Sequence, residues 1–208
     1  MNKRISILSS IILAISIVIF FVSLVLSLIE RKPILDMVSY GACIFLSWSY
    51  VVTVIGSCKL CKKDKLIAAE AGKFFGVIYS VFVSLVYFTQ LTVIKHKVLP
   101  IEIVSVFDYS FTDSWMFSID IIGYGIMALS TFFVGLTIEP QDKINKVLRY
   151  LLLIHGIFII CIYLPMTPIF LGDSDGATTG IIALLFWCMM FLPIALLFAK
   201  RFSKVKVM

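Results

Sequence analysis

Charged side chains are scarce in this sequence, at 14% of 208 residues, where a soluble domain carries about 25%. The remainder is 61% hydrophobic and the mean hydropathy is +1.09. Together these exclude a water-soluble globule and predict a single membrane-embedded domain over 1–208. Histidine is scarcer still. His96 and His155 are the only two, and the hydropathy pattern sets them on opposite sides of the bilayer centre. A histidine-rich metal hydrolase or a haem protein with two histidine ligands is therefore not expected. Among the five cysteines, Cys58 and Cys61 form one C-x-x-C next to Lys59, Lys62 and Lys63. Tetrahedral zinc normally takes four ligands, and no second pair follows at finger spacing, so no metal is expected. Cys43, Cys161 and Cys188 fall in apolar runs and read as small packing residues. The HExxH, GxSxG and GxxxxGK[ST] signatures of zinc, acyl-transfer and phosphate chemistry are also missing. No cofactor and no catalytic residue is predicted, and an enzyme is the weaker expectation. The net charge of +6 does not point to nucleic acid, because the basic residues cluster at the ends of apolar runs, as membrane orientation requires.

What is present is six such runs, about Ile5–Ile29, Met37–Ser57, Leu66–Ile94, Trp115–Ile138, Val147–Leu171 and Thr179–Ala199. Each meets the ~20 residues that cross a bilayer as helix. The first begins at Lys3 and Arg4 like a signal peptide, but it is too long for one and lacks a small-x-small cleavage site, so it reads as a retained span. The fold class is all-α, a polytopic six-transmembrane-helix bundle. Lys3, Arg4, Lys59, Lys62, Lys63, Lys65, Lys143, Lys146, Arg149, Lys200, Arg201, Lys204 and Lys206 fall on one face. The other has Arg31, Lys32, Lys95 and Lys97, with Glu30, Asp36, Glu102, Asp108, Asp113, Asp173 and Asp175. The positive-inside rule then predicts both termini cytoplasmic. Three spans in each half would permit inverted repeats, but no motif is shared between them.

The fourth run, WMFSIDIIGYGIMALSTFFVGLTI, holds a carboxylate, Asp120, inside apolar surroundings. On insertion scales a charge at the centre of hydrocarbon costs at least ~2.5 kcal/mol, so such a group faces protein or water. The third and fourth spans are antiparallel neighbours, which sets Gln90 and Asp120 at similar depth, about 6–8 Å below their outer ends at ~1.5 Å per residue. Tyr87 lies three residues from Gln90 and Tyr124 four from Asp120, on one helix face in each case. The expected arrangement is two polar rungs, Gln90 with Asp120 and Tyr87 with Tyr124, and Gly123, Gly125 and Ala128 would let the helices close up. Such rungs serve either as an interhelical hydrogen bond fixing register or as a ligand site in the outer half of the bundle.

In the fifth span His155 reads as a packed, hydrogen-bonded core histidine. Pro165 and Pro168 are expected to kink or break the helix near the depth of Asp120 and leave carbonyls free. Gly-Asp-Ser-Asp-Gly at 172–176 is read as an acidic connector, since it lacks the remaining ligands of a calcium loop. Glu70 and Lys73 are expected to pair at the membrane interface, and the serines of the first two spans to pack helices.

YFTQLTV at 87–93 and SIDIIGYGIMALST at 118–131, continued more weakly by HGIF at 155–158 and FWC at 186–188, resemble a family of small six-helix bacterial integral membrane proteins with no assigned activity. The resemblance implies the topology and a bacterial plasma membrane, and carries over no catalytic residue. From the residues themselves the leading expectation is binding or transport of a small cationic or amphipathic ligand, or a proton, at Asp120, Gln90, Tyr124 and Tyr87. A non-catalytic sensor or accessory subunit, with a membrane protein or a second copy as partner, is the alternative. An intramembrane enzyme acting on lipid comes third.

Overall fold

The computed structural model describes residues 2–30, 32–95, 99–166 and 176–205, which are helical apart from short connections and contain no strand. The expectations for His96, Pro168 and, up to residue 175, the 172–176 connector lie outside the described residues. The long elements are α1 (Lys3–Glu30), α2 (Pro33–Cys58), α3 (Leu66–Thr89), α5 (Trp115–Thr137), α6 (Lys143–His155) and α7 (Gly176–Lys204), with a short α4 (Ile101–Phe107) between α3 and α5. Six segments are long and apolar enough to cross a membrane, in agreement with the six predicted runs.

Starts are set by local chemistry. Pro33 opens α2, where a missing N–H costs nothing. Ser114 caps α5 by accepting from the Phe117 amide at 3.1 Å, and Asp142 caps α6 through the Asn145 amide at 2.7 Å. Neighbours in sequence are neighbours in space: α1 lies on α2, α2 on α3, α3 on α5, α5 on α6, and α6 on α7. Contact between α7 and α1 closes this ring. The Lys3 ammonium donates to the Val205 carbonyl at 2.8 Å, so both chain ends share one end of the bundle.

The packing is that of a membrane bundle. On α1 Ser6, Ser9, Ser10, Ser16 and Ser23 are buried while Ile5, Leu8, Ile12, Ile15, Ile19 and Val22 face outward. Lipid tails are as apolar as isoleucine, so outward-facing aliphatics lose nothing, and small hydroxyls let helices approach and bond. Thr53 of α2 donates to Ser9 of α1 at 3.1 Å. Across the centre, Tyr50 of α2 donates to Ser130 of α5 at 2.7 Å, and Ser130 donates to the Gly72 carbonyl of α3 at 2.6 Å. Glu70 and Lys73 form the expected ion pair at 2.6 Å.

Close approach of α3 and α5 is tightest at Gly72, while Gly123, one of the glycines expected from α5, faces Phe82 and Val83 of α3. A Cβ on Gly72 would stand 2.9 Å from Val134 Cγ2 and 3.3 Å from the Val134 amide nitrogen. Gly123 leaves only ordinary contact distances, and Gly125 faces Ile162 of the fifth span, not α3. Small residues on one helix do not say which neighbour they face. Gly72→Val should therefore lower unfolding stability by about 1–3 kcal/mol, the usual cost of overpacking. Thermal denaturation in detergent checks this, and Gly41→Ala, where no atom lies within 4 Å of the added Cβ, is the control.

Two spans depart from regular α-helix. α3 ends in a π-helical turn, Gln90–Ile94, and α6 passes at Gly156 into a 3₁₀ segment, Gly156–Met166. The second change begins at Gly156, well before Pro165. A Cβ there would lie 2.9 Å from Phe132 Cβ. Eleven residues of 3₁₀ helix is unusually long, and it begins at Gly156, not at the prolines expected to interrupt this span.

Candidate acidic aromatic cavity

Asp120 is 4% exposed and sits in the wall of a cavity of about 280 Å³. The cavity opens among α1, α2, α5, the 3₁₀ segment and α7, with Tyr109 and Ser110 from the connection before α5 beside it. Its walls are mainly apolar and aromatic, and their two charged side chains are both carboxylates, Asp120 and Asp36; no Lys, Arg or His is among the described lining residues.

Asp120 is half satisfied. Its Oδ2 accepts from the Tyr87 hydroxyl at 3.3 Å, while its Oδ1 is buried with no hydrogen-bond partner. Buried polar atoms are nearly always bonded, and an orphaned one costs about 1–3 kcal/mol, more when charged. Asp36 Oδ1 accepts from Ser27 of α1 at 2.8 Å. The rest of the wall is an aromatic enclosure. Tyr40 meets Tyr109 edge to face at 5.9 Å, and Tyr124 meets Trp187 edge to face at 5.3 Å. Burial, followed by the nearby Tyr40 and Asp120, pushes the Tyr109 phenol well above its ordinary pKa, so it faces the cavity as a neutral hydroxyl.

The four predicted site residues have different fates. Tyr87 and Asp120 bond across the predicted α3–α5 interface, and Tyr87 also lies beside Tyr124, its predicted partner, while the predicted rung of Gln90 with Asp120 does not form. Tyr124 lines the cavity, and its hydroxyl lies 3.9 Å from Cys43 Sγ, with the Tyr87 hydroxyl beside both. Gln90 does not reach Asp120. Its amide nitrogen donates to the Phe107 carbonyl at 2.8 Å and its oxygen accepts from the Tyr109 amide at 3.3 Å. The reason is a better partner: an irregular connection presents one free carbonyl and one free N–H, which a primary amide matches at both ends. Gln90 thus positions the chain that brings Tyr109 to the cavity. Gln90→Ala should release that connection, seen as amide exchange at Phe107–Ser110 faster by roughly 10-fold, the equivalent of one to two hydrogen bonds at about 1 kcal/mol each.

Sequence reasoning missed Asp36, Tyr40, Tyr109 and Trp187 as members of the site. For Asp36 there was a signal, since it lies one helical turn from Tyr40 in the first turns of α2. Trp187 offered none. Behind it His155, fully buried, accepts at Nε2 from the Trp187 indole N–H at 2.9 Å, while its Nδ1 meets Thr131 Oγ1 at 2.8 Å. An indole nitrogen only donates, so Nε2 is the acceptor and Nδ1 carries the proton. Thr131 accepts it and passes its own hydroxyl proton to the Ala128 carbonyl at 2.9 Å. His155 is therefore the hydrogen-bonded core histidine that was expected, and it anchors one cavity wall.

Below the cavity run Tyr124, Tyr79 and Tyr50, in tilted or edge contacts 5.6–5.9 Å apart. The hydroxyl of Tyr79 has no partner, so the polar column from Asp120 to Ser130 is not a continuous hydrogen-bonded chain.

No family model, curated protein or solved structure matches this chain. The fold and site define a six-span helical membrane protein with an acidic, aromatic-walled cavity.

Proposed function

We propose that this protein binds a small amphipathic organic cation, a protonated amine, in the cavity at Asp120, and carries it across the membrane. The observation supporting this reading is that Asp120, whose buried Oδ1 has no hydrogen-bond partner among the described residues, lines a cavity whose described walls hold two carboxylates, aromatic rings and no base. An orphan acceptor calls for a donor, which a protonated amine supplies and a quaternary ammonium does not. Tyr40, Tyr109, Tyr124 and Trp187 line the same cavity, and a cation seated over a ring there would gain about 0.5–2 kcal/mol per cation–π contact. The apolar wall suits the rest of an amphipathic molecule. Its volume of about 280 Å³ lies at the lower edge of the ~300–1,000 Å³ of small-molecule sites, which limits the ligand to a single small ring or a short chain. A bare metal ion fits less well, because hard cations take six or more oxygen ligands. A proton fits less well because the polar column is interrupted at Tyr79.

The resemblance to small six-helix bacterial membrane proteins and the bias of lysine and arginine toward one face support a bacterial plasma membrane with both termini in the cytoplasm. On this reading the cavity faces outward. A reporter fused after Met208 should be active only in its cytoplasmic form; an extracellular signal would reverse the orientation. The ligand itself is tested by isothermal titration of the purified full chain with phenethylamine, benzyltrimethylammonium and phenethyl alcohol. The amine should bind tightest and the alcohol weakest. Equal affinities for the amine and the alcohol would reject the reading.

A further inference from the structure

The end of the bundle that carries both termini holds a second cavity, of about 240 Å³, lined by Leu60, Asp142, Asn145, Arg201, Lys204 and Val205. Arg201, in the last turn of α7, is only 9% exposed. Its guanidinium donates to Ser57 Oγ at 2.7 Å, and among the described residues no carboxylate lies within ion-pair distance of it. A guanidinium has five N–H donors in a planar fork, and one neutral hydroxyl leaves most of them unused. Removing a cation from water costs several kcal/mol unless an opposite charge meets it.

The nearby acids are already engaged. Asp142 Oδ1 accepts from the Asn145 amide at 2.7 Å and Oδ2 from Lys204 at 3.1 Å. That backbone N–H and the Lys204 ammonium hold its carboxyl below the usual carboxylate range. Glu139 is bound by both Lys65 and Lys62, which lower its pKa in the same way. The Asn145 side-chain oxygen is buried without a partner. Turning this amide by 180°, which exchanges its oxygen and nitrogen, gives the cavity a donor in place of an orphan acceptor.

We infer that this cavity is an anion site for a phosphate group, held by the Arg201 fork with Lys204 and the Asn145 amide. A phosphate takes two parallel bonds from one guanidinium. Lys204 is shared between it and Asp142. The phosphate belongs either to the headgroup of an anionic phospholipid or to a soluble phosphate, and the same chemistry serves both. This site is independent of the cavity at Asp120, at whose lining none of these residues occurs.

The test is the thermal unfolding of the full chain in nanodiscs of phosphatidylcholine alone, with inorganic phosphate added, or with phosphatidylglycerol in the bilayer. The wild type should show a saturable rise in midpoint with one of the two anions. A rise with phosphatidylglycerol alone identifies the headgroup, and a rise with inorganic phosphate identifies the soluble ligand. Arg201→Gln should abolish the rise and Arg201→Lys should weaken apparent affinity roughly 10-fold, since a point charge replaces the fork. Lys143→Gln, at an exposed position outside the cavity, should respond as wild type. Asn145→Asp guards against an Arg201 variant that fails to fold: an acid in the first turn of α6 suits the helix dipole, yet adds a second carboxylate beside Asp142, one not engaged by Lys204, and should also abolish the rise. No rise in the wild type with either anion, or an undiminished rise in Asn145→Asp, would overturn the assignment.

Discussion

Asp120→Asn should weaken phenethylamine binding by roughly 10- to 150-fold, the equivalent of one charge-assisted hydrogen bond of about 1.5–3 kcal/mol, and leave the fold intact. The two halves of this expectation come from different oxygens. Oδ2 takes the Tyr87 hydroxyl, and an asparagine carbonyl accepts that bond equally well, so the α3–α5 contact survives. Oδ1 has no partner among the described residues, and its replacement by an NH₂ group turns the amine's acceptor into a second donor. Removing a buried charge also relieves desolvation, so the melting temperature in detergent should stay level or rise. If Asp120 only fixed helix register, the pattern would invert, with stability lost and affinity for the amine unchanged. Tyr87→Phe separates the two further. It deletes the Oδ2 donor, should cost about 1–3 kcal/mol of stability by leaving a second carboxylate oxygen bare, and should affect amine binding less than Asp120→Asn does.

Asp120 could be picked out before any coordinates because its signal is local: one carboxylate in an apolar run long enough to cross a bilayer. The six spans are legible for the same reason, since hydropathy over twenty residues needs no knowledge of neighbours. Tyr87 was legible as the helix-face neighbour of Gln90, one turn deeper. The partner of each polar group was not. Gln90 shares a helix face with Tyr87 but is drawn away by two backbone groups of a connection seventeen to nineteen residues further on, and nothing in that connection's composition announces a free carbonyl beside a free N–H. Gly125 and Gly72 show the same limit in packing. Both are small residues on membrane helices, yet only contact geometry shows that one meets the fifth span and the other admits α5. The prolines of the fifth span predict a kink or break at Pro165 and Pro168, whereas the helix already changes type at Gly156, close against Phe132. The site assembled from five helices and a connection could not be read from spacing within any one of them.

His155→Ala should have the largest effect on stability, because a single side chain holds two elements of the cavity wall. Truncation leaves the Trp187 indole N–H without its acceptor and removes the donor to Thr131. Orphaning the indole alone costs about 1–3 kcal/mol in a dry interior, and the space left among Phe158, Trp187 and Phe191, whose rings lie 5.0–6.3 Å from the imidazole, adds a cavity penalty. A loss of about 3–5 kcal/mol is the scale for emptying such a site. The indole would then be free to leave its stack on Phe191 and its edge contact with Tyr124, so amine affinity should fall as well although His155 is not among the cavity-lining residues. In a Trp48→Phe, Trp115→Phe background, Trp187 becomes the sole indole and its emission should shift to the red. His155→Gln distinguishes anchoring from proton transfer. Its amide oxygen can accept the indole N–H, so emission and affinity should recover in part while the ring's titratable nitrogen is gone. Anchoring requires the pH profile of amine binding in His155→Gln to match that of the wild type, since Nε2 is already occupied by a donor that cannot give it up. Were the profile to flatten in this variant, His155 would be exchanging a proton with the ligand cycle, and the hydrogen-bond chain from Trp187 to the Ala128 carbonyl would be one state of a relay instead of a fixed support.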